Sequence, residues 1–225
     1  MKKYYLLILI VMTSLLTVGI TACSESDNEV EEFPNWQKTN ADYFDKKYAE
    51  VKALADGGST DWKVLCSWSL NPATATHSYD HVLVNVLNAG TGSGCPLYTD
   101  SVKVHYSGRL LPSTTYKEGY VFDQSWQGDY NLDVMQPRTF AVNAVVNGFA
   151  TALQQMHIGD RWRVYIPYQL GYGSATNAGA AYSTLVFDMT LVGYFRKAAP
   201  AAAPAQNTAD AVSNTTAATG YWVYE

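Results

Sequence analysis

The sequence predicts an α+β domain in which a curved antiparallel sheet wraps one short helix. Three observations lead there. Several segments alternate apolar and polar residues at period two, one short stretch among them repeats at helical spacing, and Gly, Pro or Asn breaks separate them. Of 225 residues, 48% are hydrophobic and 13% aromatic, with 17 Tyr among them. That is enough to build a core and too apolar for a mainly disordered chain.

Taken in order, residues 40–55 have helix chemistry. Asn40 can cap, Asp42 sits in the first turn, and Phe44, Tyr48, Val51 and Ala55 recur at i, i+4, i+7 and i+11 before two glycines stop the run. This is an amphipathic N-terminal arm. Residues 62–70 alternate weakly as a strand candidate and end at Asn71-Pro72, whereas residues 81–87 are a clearer strand. The glycine run at 90–94 reads G-x-G-x-G and leads into another strand, so it is no phosphate-cradling fingerprint. In 100–110, Val102, Val104 and Tyr106 share one face. Residues 119–126 and 138–142 are shorter candidates. In 161–167, Trp162, Val164 and Ile166 point inward, and in 183–192 Leu185, Phe187, Met189 and Leu191 do the same. The embedded helix is 148–156, where Phe149, Ala152, Leu153 and Met156 follow i, i+3, i+4 and i+7.

The chain ends read differently. Lys2 and Lys3 precede an apolar run that closes on Ile20-Thr21-Ala22-Cys23, which resembles a bacterial lipobox. Residues 1–22 are then a lipoprotein signal peptide and Cys23 the lipidated residue, with an uncleaved N-terminal anchor as the alternative. Ser24 after the Cys resembles the pattern that sorts lipoproteins to the outer membrane. Residues 23–39 are expected to be an acidic tether and 40–78 the helix with its connecting segment. Residues 79–197 would be the main domain and 198–225 a low-complexity tail whose aromatic end, Tyr221 to Tyr224, can dock somewhere. The net charge of −5, with no basic cluster beyond Lys46-Lys47, sets nucleic-acid binding aside. Cys66 and Cys95 either pair, closing a loop of about 30 residues, or stay as thiols. No CxxC spacing exists, so zinc, thioredoxin-like redox chemistry and cofactors are not expected.

Six motifs in a fixed order carry a further reading. They are Val104-His105-Tyr106-Ser107-Gly108, Val121-Phe122-Asp123-Gln124-Ser125, Val145-Val146-Asn147-Gly148-Phe149, Gln155-Met156-His157-Ile158-Gly159-Asp160, Ile166-Pro167 with Leu170-Gly171-Tyr172-Gly173, and Ser183-Thr184-Leu185-Val186-Phe187-Asp188. From about residue 79 to 196 this set resembles the FKBP-type peptidyl-prolyl cis-trans isomerases. The resemblance implies a five-stranded half-barrel around the short helix, with an apolar pocket between them for the substrate proline. Catalytic parts would be Tyr106, Phe122, Asp123 and Tyr172. Val145, Val146, Phe149 and Phe187 would bind substrate. Three departures stand out. Phe149 replaces the family's usual Trp, Arg138 aligns with a position usually filled by an aromatic wall residue, and residues 173–182 lack the Ile-Pro-Pro-like stretch that covers the pocket.

The function implied is isomerisation of Xaa-Pro bonds in exported proteins from a lipid anchor on the envelope of a Gram-negative bacterium. A catalytically weak prolyl-peptide binder or chaperone is the alternative. A hydrolase is disfavoured, because there is no G-x-S-x-G and His77, His81, His105 and His157 are scattered, with His105 alternating outward from Tyr106. Family members with an N-terminal helical extension often dimerise through it, while Phe44, Tyr48 and Val51 can equally pack on their own domain.

Overall fold

The computed structural model describes residues 31–197 and 220–224. The expected signal peptide, Cys23 and most of the expected tail lie outside the described residues. The elements run α1 (Trp36–Asp56), β1 (Trp62–Cys66), β2 (His81–Asn88), β3 (Ser101–Arg109), β4 (Val121–Gln124), β5 (Arg138–Ala141), α2 (Asn147–Leu153), β6 (Arg161–Ile166), β7 (Leu185–Lys197) and β8 (Gly220–Val223). All strand pairs are antiparallel, in the order β1-β2-β6-β7-β3-β4.

Among the described residues, eight strands take part rather than five. Two short strands share the outer edge of β3, with β4 opposite residues 107–109 and β5 opposite residues 101–104. β1 extends the sheet beyond β2. A further strand comes from the expected tail: β8 pairs with residues 194–197 of β7, beyond the stretch that β6 covers. Lys103 lies 4.6 Å from the Trp222 ring centroid and donates to the Tyr224 hydroxyl at 2.6 Å, so the terminal aromatics dock on β3 and β7.

The inward faces are those that alternation assigns. Val102, Val104, Trp162, Val164, Ile166, Leu185, Phe187, Met189 and Leu191 are all buried. α2 lies on them through Phe149, Ala152 and Leu153. Gly148 permits the approach, since a Cβ there would stand 2.2 Å from Ile166 Cγ2.

The helical arm starts a turn earlier than expected, at Trp36, after Asn35 in a left-handed conformation with φ 49°. Asn40 is therefore not a cap. It is fully buried, its Nδ2 donates to the Trp36 carbonyl at 2.7 Å, and its Oδ1 accepts from the Thr184 N–H at 2.7 Å. Trp36 Nε1 donates to Ser183 Oγ at 2.7 Å. Glu32, expected within the 23–39 tether, is likewise tied down, accepting from Ser113 Oγ and from the Thr115 N–H at 3.0 Å. Phe44 and Val51 are buried with Leu83, against Tyr48, Trp62, Val64 and Tyr165. The apolar face of α1 thus packs on its own sheet, the alternative to a dimer contact named for Phe44, Tyr48 and Val51.

Cys66 and Cys95 are both unpaired thiols. Among the described residues, no helix is long and apolar enough to cross a membrane.

Candidate functional site

Gly108 on β3 lets two rings meet above it. A Cβ there would lie 2.5 Å from Phe187 Cε1 and 2.7 Å from Phe122 Cζ. Phe122 on β4 and Phe187 on β7 pack edge to face with centroids 5.5 Å apart. Phe149, in the first turn of α2, stands edge-on to Phe187 at 4.9 Å, and Tyr106 on β3 stands edge-on to Phe149 at 6.1 Å. Such pairs contribute beyond area burial and fix ring orientation. They enclose a cavity of about 220 Å³ lined by Tyr106, Phe122, Asp123, Phe140, Ala144, Val145, Val146, Phe149, Tyr172 and Phe187.

Every residue expected at the site lines this cavity. Two residues not anticipated there, Phe140 and Ala144, line it as well. Phe140 corrects the reading of Arg138: it supplies the aromatic wall that Arg138 seemed to replace, with its ring 5.4 Å from Tyr106 and 6.4 Å from Phe149. The two residues share strand parity, opposite Val102 and Val104 respectively. Arg138 stands half-exposed, with its guanidinium carbon 5.8 Å from the Tyr106 ring centroid.

The polar groups converge on Asp123. Its Oδ2 accepts from the Tyr106 hydroxyl at 2.6 Å, and its Oδ1 accepts from Arg138 Nη1 at 3.3 Å. Arg138 Nη2 donates to the Gln124 carbonyl at 3.0 Å, which fixes the guanidinium. Burial, reinforced by donation to Asp123, pushes the Tyr106 hydroxyl well above its usual pKa. Tyr172 is shifted the same way, by burial and then by the Asp123 charge, and stays protonated. The Tyr172 hydroxyl makes no hydrogen bond to the described residues, so its proton is available to a ligand.

Residues 95–192 match the family model described as FKBP-type peptidyl-prolyl cis-trans isomerase. These residues form an FKBP-type domain. α1, β1 and β2 precede the matched stretch. The chain is 41% identical over 105 residues to the macrophage infectivity potentiator of Trypanosoma cruzi, covering 46% of this chain and 47% of that protein. It is 39% identical over 110 residues to the FKBP-type 22 kDa peptidyl-prolyl cis-trans isomerase of Escherichia coli, 48% of this chain and 47% of that one. To the outer membrane protein MIP of Legionella longbeachae it is 34% identical over 109 residues, covering 48% of this chain and 41% of that one. The chain thus spans about half the length of these relatives or less.

The loop that follows Tyr172 in the FKBP-type domain is held by hydrogen bonds. After Tyr172, Gly173 adopts φ 59° and Tyr182 φ 56°, and the Tyr182 N–H donates to the Gly173 carbonyl at 2.8 Å across the neck. Gly179 N–H donates to the Thr176 carbonyl at 2.8 Å, Ala178 is buried, and Tyr182 packs edge-on to Tyr168 at 5.4 Å. Ser183, which accepts from Trp36, donates to the Ala180 carbonyl at 2.8 Å. These turns close the loop on its own neck, and Ser183 ties it to α1.

Proposed function

We propose that the chain is a peptidyl-prolyl cis-trans isomerase, working through the aromatic pocket of its FKBP-type domain on exported proteins. The observation that carries this reading is the pairing of an apolar aromatic pocket with two polar groups, Asp123 held by Tyr106 and Arg138, and the unengaged Tyr172 hydroxyl. Isomerisation breaks no covalent bond. It lowers a rotation barrier of about 18–20 kcal/mol that arises from amide resonance. In the twisted transition state the carbonyl loses conjugation and the imide nitrogen becomes pyramidal. Phe122, Phe149 and Phe187 grip the pyrrolidine ring and exclude water, which favours the less polar twisted form over either planar one. Tyr172 donates to a substrate carbonyl, and Asp123 fixes the electrostatics of the pocket mouth while Val145 and Val146 hold the flanking chain.

The place of action follows from Cys23. Lipidation there holds the domain on the cell envelope, in keeping with the name of the Legionella longbeachae relative, an outer membrane protein. In that setting, slow uncatalysed Xaa-Pro isomerisation of about 10–100 s limits folding of exported chains. The competing reading is a catalytically weak prolyl-peptide binder or chaperone that uses the same pocket.

Refolding of a secreted protein whose slow phase is a prolyl isomerisation tests the activity. Catalytic amounts of the chain are expected to accelerate that phase, and an unchanged rate would refute the reading. Membrane fractionation of Cys23→Ser tests the anchor, with release of the protein from membranes as the expected result.

A further inference from the structure

Tyr172 carries the unengaged hydroxyl of the pocket, and its backbone is gripped from two sides. On the entering side the Tyr168 carbonyl accepts from the Gly171 N–H at 3.1 Å and from the Gly173 N–H at 2.9 Å. On the leaving side the Tyr182 N–H donates to the Gly173 carbonyl at 2.8 Å, and Tyr182 stands in the left-handed region with φ 56°. A bulky residue there is strained and persists only where its surroundings hold it.

What holds it comes from α1. Trp36 Nε1 donates to Ser183 Oγ at 2.7 Å, and Ser183 Oγ donates onward to the Ala180 carbonyl at 2.8 Å. The next N–H, that of Thr184, goes to Asn40 Oδ1 at 2.7 Å, and Asn40 Nδ2 returns to the Trp36 carbonyl at 2.7 Å. Trp36, Asn40, Ser183 and Thr184 are all buried, so water cannot replace these bonds once they are broken. Tyr168 lies against the same turns, lining a shallow hollow with Trp36 and Ala41. The first two turns of α1 therefore meet both sides of the loop that carries Tyr172. Yet α1 lies outside residues 95–192, the stretch that matches the family model.

We infer, on the reading of Tyr172 as donor to a substrate carbonyl, that Trp36 and Ser183 are positioning residues for isomerisation. The relay from Trp36 through Ser183 to Ala180 holds Tyr182, and the bond from Tyr182 to Gly173 then sets where the Tyr172 hydroxyl stands. Placement of that hydroxyl matters, because a misplacement of about 1 Å in a reacting site costs on the order of a hundredfold in rate. The N-terminal arm is thus a working part of the pocket and the matched domain alone is incomplete.

A double-mutant cycle on the full chain, read as catalysed exchange of a Xaa-Pro peptide by NMR, tests this. Ser183→Ala removes the relay hydroxyl and is expected to slow exchange by about fivefold, but to have no further effect in a Tyr172→Phe background. Trp36→Phe keeps a ring in the core, removes only the N–H, and is expected to behave the same way, so it carries the test if Ser183→Ala fails to fold. In both variants the Tyr182 amide is expected to exchange with solvent faster while the amides of β6 keep their protection. An equal loss with and without the Tyr172 hydroxyl would make the relay merely structural and overturn the assignment, as would undiminished turnover in both variants. A Tyr172→Phe chain as fast as wild type would overturn the donor itself, and the relay with it.

Discussion

The Tyr106 hydroxyl donates to Asp123 Oδ2 at 2.6 Å, joining β3 to β4 at the lip of the aromatic pocket. One ring therefore serves two purposes: its edge forms pocket wall, and its hydroxyl orients the only carboxylate among the residues that line the pocket. Tyr106→Phe keeps the wall and removes the orientation. It is expected to cost about 1 kcal/mol of stability, as for one hydrogen bond, measured by urea unfolding, and to lower kcat/KM for a Xaa-Pro peptide without altering the volume of the pocket.

The protonation of the two pocket tyrosines gives a pH test. Burial raises both hydroxyls above the ordinary value of 10.0, so the neutral, donating form persists further into alkali. Turnover is expected to stay level from neutrality to about pH 10. A falling limb between pH 8 and 9 that disappears in Tyr172→Phe would contradict the upward shift of the Tyr172 hydroxyl.

Asn40 links the helical arm to Thr184, the residue before β7, 144 positions away. Asn40→Ala leaves the Thr184 N–H buried and unpaired, a loss of about 1–3 kcal/mol. Chemical denaturation is expected to show that loss, and hydrogen exchange to show faster opening of 36–44 together with 182–185.

Glu32 gives acid sensitivity at the edge of the domain. Hydrogen bonds from Ser113 and Thr115 lower its carboxyl from 4.5 to about 2. A carboxyl depressed on folding stabilises above its unfolded value and loses that contribution as pH falls through the folded one. The melting temperature is expected to drop between pH 4.5 and 2, and Glu32→Gln to flatten that part of the curve.

Much of this architecture was legible in the sequence because strand parity is strict. Once Val102, Val104 and Tyr106 point inward, the faces of β6 and β7 follow, and the ordered motifs bring the pocket residues together. Parity also marks where legibility ends. Arg138 and Phe140 lie on the same face, so only their pairing opposite Val104 and Val102 shows which one reaches the wall. Asn40 reads as a cap from composition, but its amide answers to Trp36 and to Thr184, partners that no local pattern reveals. β8 has four residues and follows a low-complexity run, and its partner is the far end of β7. The direction of His105 could be read from alternation, but not its burial, because Tyr130 and Leu132, which line an outer-face cavity with it, come from an irregular segment.

The most direct test of the central claim is protease-free exchange NMR on a Xaa-Pro peptide, in which cis and trans signals exchange when rotation is catalysed. Substoichiometric wild-type chain is expected to produce exchange cross-peaks, with Asp123→Ala and Tyr172→Phe each slower by about tenfold or more, as for loss of one oriented group at a reacting carbonyl. A wild-type exchange rate no faster than that of either variant would contradict catalysis by this pocket.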